Sequence, residues 1–252
     1  MIEIKNLNYH YESVNSKTTL GNINLRIQSG ERIAVMGHNG SGKTTFVRCL
    51  NGLLPPSSGS IHVDGMNISD SRSLVEIRQK VGMVFQNPDN QIVSATVERE
   101  IAFGLENLGI PKPEMINRVE SMLKQFNLTQ YRRHSPHRLS GGEKQRLAIA
   151  SVMAMQPRYL VLDEPTSLLD PSNRRSICST IATLHEHDPE LTSILVTQFP
   201  DESLNADRLL IFYQGEIILH GRPETVFRDS KHIRELGLEP PLLFKVRDLL
   251  NK

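Results

Sequence analysis

The chain has little cysteine, few aromatic residues and almost no net charge. Its 252 residues include two cysteines, no tryptophan and 5% aromatic residues, and 29 basic side chains nearly balance 28 acidic ones. Cys49 and Cys178 do not have the spacing of a metal-binding motif, so we expect buried free thiols. A formal charge of +1 provides no strong field for anionic partners, and no nucleic-acid partner is expected.

Long apolar runs are also missing. The longest unbroken run is Leu209–Tyr213, far shorter than the roughly 20 residues that a membrane-spanning helix needs. The opening stretch, MIEIKNLNYHY, lacks the basic start and the apolar core of a secretory signal. We therefore expect an intracellular protein that reaches a membrane only through a partner.

Short apolar strands alternate with helical patterns along most of the chain. Examples are ERIAVMG followed by SGKTTFVRCLNGL, and RYLVLDE followed by PSNRRSICSTIATLHEH. This alternation predicts βαβ units and hence an α/β fold with a mostly parallel sheet. The first thirty residues instead suggest antiparallel strands, so a small β layer is expected before the parallel core.

The same patterns divide the chain into three parts. Residues 87–157 show helical patterns without a clear strand, which predicts an inserted helical subdomain. The nucleotide-binding core would then comprise residues 1–86 and 158–228. Residues 229–252 would form a helical tail.

Residues 37–44, GHNGSGKT, match the P-loop pattern GxxxxGK[ST] between an apolar strand and a helix. The glycines allow backbone amides to surround a phosphate at the start of the helix. We expect Lys43 to reach the β- and γ-phosphates and the Thr44 hydroxyl to bind magnesium. The predicted nucleotide-binding residues of this segment are Gly37, Asn39, Gly40, Ser41, Gly42, Lys43, Thr44 and Thr45.

A second strand ends in two acids. In YLVLDEPTSLLD, residues 159–170, Asp163 would lie at the strand end and hold magnesium. Glu164 would lie just outside the strand, where it can polarise an attacking water as general base. The alternative is that both acids are merely solvated charges at a strand end.

The stretch LSGGEKQR, residues 139–146, has two explanations. Ser140 and Glu143 form the pattern of a helix capping box. However, glycine costs about 1 kcal/mol relative to alanine inside a helix, so Gly141 and Gly142 are poor choices for capping alone. Close approach by a phosphate would explain both glycines. Ser140, Gly141 and Gly142 are therefore candidate nucleotide contacts.

These motifs resemble, in type and in order, those of the nucleotide-binding subunits of ATP-binding cassette (ABC) transporters. LSGGE is the signature that separates that family from other P-loop proteins. The resemblance implies ATP and Mg²⁺ as cofactors and a P-loop core with an inserted helical subdomain. It also implies a head-to-tail dimer, in which the signature of one subunit covers the nucleotide on the other's P-loop.

The resemblance extends to single residues. Gln86 would be the switch-loop residue that senses magnesium, the attacking water and the membrane partner. Asp170 would be a contact across the dimer, although an aspartate before Pro171 is also a good helix start. An aromatic residue near the N-terminus would stack on adenine; Tyr11 matches best by position, and Tyr9 is the alternative.

Two stretches, VFQNPDNQIVSATVEREIAFGLENLGIP and LGLEPP, resemble the ATPase subunits of energy-coupling factor importers, which take up vitamins or transition metals. The resemblance implies a peripheral protein on the cytoplasmic face of the cell membrane. Its partners would be a second, related ATPase in a heterodimer, a transmembrane coupling protein docked near residues 87–105, and a membrane protein that binds the substrate. The closing stretch carries apolar residues at helical spacing that either join the ATPase dimer or pack on their own core: Leu242, Leu243, Val246, Leu249 and Leu250.

Gln198 departs from the family pattern. It follows the strand SILVT, where the family usually has a histidine that contacts the γ-phosphate and orients water together with the glutamate. Glutamine can donate to a phosphate oxygen and accept from water, but it cannot carry the charge of an imidazole.

Three hypotheses follow from these motifs and from the departure at Gln198. The first is an ATPase that powers a membrane importer. The second is a clamp subunit that binds ATP and hydrolyses it poorly. The third is a soluble cassette ATPase of DNA repair or translation, against which the single cassette and the low net charge argue.

Overall fold

The computed structural model describes residues 1–11 and 19–250, apart from the side chains of residues 248 and 249. Within those residues, no helix combines the length and the apolar character needed to cross a membrane. Both cysteines are free thiols, as predicted; Cys49 is buried and Cys178 is partly buried.

Strands and helices alternate along most of the chain. The strands are β1 (Ile2–Tyr9), β2 (Leu20–Ile27), β3 (Arg32–Gly37), β4 (Ser58–Val63), β5 (Met66–Asn67), β6 (Val81–Val84), β7 (Tyr159–Asp163), β8 (Thr192–Val196), β9 (Arg208–Tyr213) and β10 (Glu216–Gly221). The helices are α1 (Lys43–Leu50), α2 (Leu74–Lys80), α3 (Val97–Asn107), α4 (Lys112–Gln125), α5 (Gly141–Ala154), α6 (Pro171–His187), α7 (Pro223–Val226), α8 (Ser230–Glu235) and α9 (Leu242–Leu250). Short 3-10 turns cover Pro88–Asn90, Thr129–Tyr131, Pro136–Arg138 and Pro200–Asn205.

A four-stranded antiparallel sheet forms the first layer, in the order β2-β1-β4-β5. Ile2, Ile4 and Leu7 of β1 are buried, whereas Lys5 is exposed on the other face. Such alternation is typical of a sheet with one face on the core and one in solvent. The predicted antiparallel β layer is confirmed.

The second sheet has six strands in the order β10-β9-β3-β8-β7-β6. Its strands are parallel except β10, which pairs with β9 in the antiparallel sense. Strands β6 and β7 are buried along their whole length, as expected when helices cover both faces of a parallel sheet. The predicted α/β fold with a mostly parallel core is therefore confirmed.

The register of the central strands brings three loops to one edge of this sheet. Val196 of β8 pairs with Val35 of β3 on one side and with Asp163 of β7 on the other. The strands are parallel, so the segments that follow β3, β7 and β8 leave the sheet together at its carboxyl edge. The P-loop begins at the last residue of β3, Glu164 directly follows β7, and Gln198 lies two residues beyond the end of β8.

Residues 87–157, all of which are described, contain helices and 3-10 turns and no strand. Their apolar side chains share one core with a face of the parallel sheet: Ile101 of α3 and Leu147 of α5 belong to the same buried cluster as Leu160 and Leu162 of β7. This segment is therefore packed firmly on the sheet through α5.

The C-terminal helix α9 packs on the rest of the protein through an aromatic contact and aliphatic neighbours. Phe244 of α9 is 6% exposed, and its ring centroid lies 5.7 Å from that of Phe227. On the other side of α9, Leu242, Leu243 and Val246 are exposed. Among the described side chains of α9, that of Phe244 is buried, and an apolar face is exposed; the side chain of Leu249 lies outside the described residues.

The start of α5 lies close against α6, which explains one of the two adjacent glycines. A Cβ atom on Gly142 would lie 2.2 Å from Oδ1 of Asn173, whereas one on Gly141 would meet nothing nearer than a Leu169 carbon at 3.6 Å. Gly142 is buried and Gly141 is exposed. Packing on Asn173 thus provides a second reason for glycine at 142, and the approach of a phosphate to both glycines stays a prediction.

This packing predicts different effects of two neighbouring substitutions on stability. Gly142→Ala should lower the free energy of unfolding by about 1–3 kcal/mol, because the added methyl group overpacks the contact with Asn173. Gly141→Ala, the matched control, should leave it unchanged or raise it, since alanine has the higher helix propensity. Thermal unfolding of both variants measures the difference, and equal shifts in Tm would contradict the packing explanation.

Candidate functional site

The P-loop joins the end of β3 to the start of α1 and contains two residues with left-handed backbone, Gly40 (φ 80°) and Gly42 (φ 103°). This conformation is costly for residues with a Cβ atom. A Cβ on Gly42 would also lie 2.9 Å from the Thr19 carbonyl oxygen, and one on Gly37 would lie 2.4 Å from the Phe212 carbonyl oxygen. Gly37 and Gly42 thus let the loop fit against neighbouring backbone, while Gly40 is exposed.

Lys43 is 5% exposed, and its ammonium group donates to the carbonyl oxygens of Gly37, at 2.8 Å, and His38, at 3.0 Å. Burial lowers the pKa of Lys43, and the nearby carboxylates of Glu164 and Asp163 oppose that effect. The lysine is therefore held inside the loop by oxygen acceptors. Phosphate oxygens are acceptors of the same kind.

Thr44 and Asp163 meet at the start of α1. The Thr44 hydroxyl donates to Oδ1 of Asp163 at 3.0 Å. Asp163 is 3% exposed, and burial raises the pKa of its carboxyl group, while the Thr44 hydrogen bond and the charge of Arg48 lower it. A hydroxyl and a carboxylate side by side form the oxygen donor set that Mg²⁺ prefers.

Glu164 has a left-handed backbone, with φ 49°, and its amide donates to the Val196 carbonyl at 3.0 Å. A non-glycine residue in this region is strained, and such strain is concentrated at functional sites. Partial burial raises the pKa of Glu164, and the charge of Lys43 opposes the shift. A raised carboxyl pKa suits a group that must take up a proton.

Gln86 lies two residues beyond the end of β6 and reaches across to the acidic loop. Its Nε2 donates to Oε2 of Glu164 at 3.4 Å and to the Ser167 hydroxyl at 3.1 Å. The Ser167 hydroxyl in turn donates to the Glu164 carbonyl at 3.1 Å. The Gln86 side chain is exposed. Its two hydrogen bonds nevertheless hold the amide group beside the candidate base.

One cleft, of about 630 Å³, brings most of the predicted residues together. Its volume lies within the usual range for small-molecule sites. The predicted residues that line it are Tyr11, Asn39, Gly40, Gly42, Lys43, Thr44, Thr45, Gln86, Glu164 and Gln198. Gln198 is exposed and makes no hydrogen bond to a described residue, so its amide is available on the side of the cleft.

The two N-terminal tyrosines differ in position. Tyr9 is 9% exposed and belongs to the core, whereas Tyr11 is 41% exposed and lines the cleft. The rings are 4.9 Å apart in an edge-on arrangement, and the Tyr11 hydroxyl lies 3.2 Å from the Thr45 hydroxyl. Tyr11 follows the end of β1, so the ring available to the cleft is carried by the loop rather than by the strand.

The predicted contacts Gly37 and Ser41 do not line the cleft, and neither do Ser140, Gly141 and Gly142. The Ser41 hydroxyl is buried, without a hydrogen-bond partner among the described residues. Ser140 begins α5 with both halves of a capping box, as its sequence predicts. Its amide donates to Glu143 at 2.7 Å.

Asp170 is the N-cap of α6 and accepts from the amides of Ser172, at 2.9 Å, and Asn173, at 3.1 Å. The Asn173 side chain also donates to it and lowers its pKa. The helix-start explanation of this aspartate is therefore confirmed. The carboxylate is nevertheless exposed.

Three cleft residues were not predicted: Thr19, Ser167 and Leu168. Ser167 and Leu168 stand three and four residues after Glu164, in the loop that returns to α6, and this proximity was the available signal. Thr19 precedes β2 and reaches the cleft through the close approach of its carbonyl to Gly42. Nothing in the local sequence around Thr19 indicates that contact.

Comparison with known proteins agrees with this geometry. The profile of the ABC transporter family matches residues 20–167. The chain is 46% identical to the energy-coupling factor transporter ATP-binding protein EcfA1 of Clostridium novyi, over 96% of this chain and 86% of that protein. It is also 46% identical to EcfA1 of Ligilactobacillus salivarius, over 100% of this chain and 88% of that protein.

Solved structures show the same fold. CbiO1 of Clostridium perfringens, described as part of the ABC transporter complex cbiONQ, superposes with a TM-score of 0.84 at 35% identity, over 98% of each chain. The ATP-binding cassette MJ0796, solved as a dimer with ADP and Pi, gives 0.79 at 28% identity, over 88% of this chain and 99% of that one. The chain is an ABC transporter ATPase and belongs to the family of energy-coupling factor transporter ATP-binding proteins.

Proposed function

We propose that the chain hydrolyses ATP in a composite site shared by two subunits and thereby powers an importer of the energy-coupling factor type. The main support is that the predicted nucleotide contacts lie in two separate places on the surface of the chain. Lys43, Thr44 and Glu164 line one cleft, whereas Ser140 and Gly141 are exposed elsewhere on the surface. Such a chain binds the phosphates of its own nucleotide in the cleft, and its exposed signature residues contact the nucleotide of a second subunit. The dimeric MJ0796 cassette with ADP and Pi supports such an assembly.

The residues of the cleft suit phosphoryl transfer to water. Lys43 exchanges its two carbonyl acceptors for oxygens of the β- and γ-phosphates, and Tyr11 stacks on the adenine. Glu164 accepts a proton from the attacking water while the γ-phosphoryl group passes to the water oxygen and ADP leaves. Gln86, bound to Glu164, orients that carboxylate and the water.

Mg²⁺ fits the donor set at the start of α1. The Thr44 hydroxyl and the Asp163 carboxylate lie 3.0 Å apart, and both are oxygen ligands of the type that this ion takes alongside substrate phosphates. Gln86, which donates to Glu164, completes the predicted set. When bound, the ion neutralises charge on the phosphate oxygens.

A second candidate function is a clamp that binds ATP and turns it over slowly. The observation in its favour is Gln198 itself, which lines the same cleft as Glu164 but has no imidazole. Its amide can donate to a γ-phosphate oxygen. It cannot provide the partial positive charge of a histidine near neutral pH. A heterodimer with a second ATPase that retains histidine would compensate for this weakness.

The transport partners are proposed from the surface near Gln86 and from the relatives' names. Val93 is 67% exposed and Phe103 is 47% exposed, and both lie in the segment 87–105 that follows Gln86. Exposed apolar residues close to a nucleotide-sensing residue suit a helix of a transmembrane coupling protein. A substrate-binding membrane protein would select the vitamin or transition metal, and the chain would sit at the cytoplasmic face of the membrane.

The domain roles follow from the same argument. Residues 1–86 and 158–228 act as the nucleotide core, residues 87–157 as the subdomain that presents Ser140 and Gly141, and residues 229–252 as a tail at the ATPase dimer. The exposed apolar face of α9 supports the last assignment, because Leu242 and Leu243 are 67% and 69% exposed. An interface would bury them.

The choice between ATPase and clamp is tested by Gln198→His. If the clamp is correct, the variant hydrolyses ATP faster than the unmodified complex, because the imidazole adds charge at the γ-phosphate. Glu164→Gln, measured alongside, should lower kcat by about 100-fold or more through loss of the base. A Gln198→His variant that is slower or unchanged would contradict the clamp and show that the glutamine is competent.

The importer assignment predicts the composition of the native complex. Purified from detergent, the chain should bring with it a second cassette ATPase and at least one integral membrane protein, all identified by mass spectrometry. A fully active ATPase recovered alone from the cytosol would contradict the assignment.

The tail assignment predicts a selective loss of one partner. Leu243→Glu should reduce recovery of the second ATPase about tenfold, since a charge would be buried in the interface. Val75→Glu is the matched control, because Val75 is 67% exposed on α2. Equal recovery with both variants would place the dimer contact elsewhere.

A further inference from the structure

A buried carboxylate lies behind the loop that carries Gln198. Glu202 belongs to the 3-10 turn Pro200–Asn205, and its side chain is 5% exposed. It does not line the nucleotide cleft. A carboxylate removed from water is costly unless its oxygens accept hydrogen bonds, so the partners of Glu202 indicate what it holds in place.

The two oxygens of Glu202 bind two different loops. Oε1 accepts from the Thr166 hydroxyl at 2.7 Å, and Oε2 accepts from the Thr197 hydroxyl. Both threonines are 1% exposed. Thr166 stands two residues after Glu164, and Thr197 directly precedes Gln198. One carboxylate therefore joins the loop of the candidate base to the loop of the candidate γ-phosphate contact.

The residue that follows Gln198 is held by the same group of side chains. The Phe199 amide donates to the Thr197 hydroxyl at 3.0 Å. The Arg174 guanidinium carbon lies 3.3 Å from the centroid of the Phe199 ring, and Arg174 Nε is 4.0 Å from Oε1 of Glu202. Thr197 and Phe199, the residues on either side of Gln198, are thus held by groups outside the cleft. The Gln198 side chain itself is exposed in the cleft.

We propose that Glu202 is a positioning residue that sets the place of Gln198 relative to Glu164 and thereby controls the rate of ATP hydrolysis. The proposal rests on hydrolysis at this cleft, as proposed above. Misplacing a reacting group by about 1 Å can cost roughly 100-fold in rate. Glu202 lies outside the cleft, so its loss affects kcat rather than the binding of ATP.

Conservative substitutions in the complete transporter complex test this role. Glu202→Gln keeps the side-chain volume but retains only one acceptor oxygen for two hydroxyl donors. We expect kcat for ATP hydrolysis to fall about tenfold while KM for ATP changes by less than about twofold. Thr197→Val should lower kcat by a similar factor. Thr197→Ser, which keeps the hydroxyl, should retain the kcat of the unmodified complex. Unchanged kcat in Glu202→Gln would overturn the proposal.

A double-mutant cycle separates positioning from general damage. Where Gln198 is replaced by alanine, Glu202 has no side chain left to position, so adding Glu202→Gln should change kcat by less than about twofold. An undiminished tenfold effect in the Gln198→Ala background would show that Glu202 acts elsewhere and would overturn the proposal. The same conclusion follows if Gln198→Ala alone leaves kcat unchanged.

Two reference variants complete the test. Glu31→Gln is the matched control: Glu31 is a partly buried carboxylate bound to Arg208 and to the Gln28 amide at the opposite end of β3, and its variant should hydrolyse ATP at the unmodified rate. Glu164→Gln tests the proposed hydrolysis itself. Full activity in Glu164→Gln would refute the proposed base, whereas loss there with normal turnover in Glu202→Gln would refute only the positioning role.

Discussion

The parallel pairing of β8 with both β3 and β7 is the constraint on which the site depends. Val196 is paired with Val35 and Asp163 at once, so a shift of one strand by one residue would move its loop away from the others. The P-loop, the acidic loop and the Gln198 loop each begin where one of these strands ends.

Contacts between the loops refine what the strands provide. Thr44 binds Asp163, Gln86 binds Glu164, and the Glu164 amide binds the end of β8. Outside the cleft, Glu202 accepts hydrogen bonds from Thr166 and Thr197 and so connects two of these loops. The cleft is thus held on both sides, while Gln198 stays free to meet a ligand.

The sequence was sufficient for the parts that depend on local pattern. The P-loop glycines, the two acids at the end of β7 and the capping box at Ser140 each follow from residue type and spacing. It was insufficient where two distant segments meet. The close packing of Gly142 on Asn173 was not predicted, because the two residues lie 31 positions apart in the sequence. Thr19 and Glu202 were not predicted for the same reason, since their roles arise from tertiary contacts.

We propose that the ATP site on this chain's P-loop is completed by the signature motif of a second subunit. A structure of the Glu164→Gln transporter complex with ATP and magnesium tests it most directly. The account predicts Lys43 and Thr44 of this chain at the phosphates, with Ser140 of a different subunit within hydrogen-bond distance of the γ-phosphate. A nucleotide enclosed by a single chain, or bound away from Lys43, would contradict it.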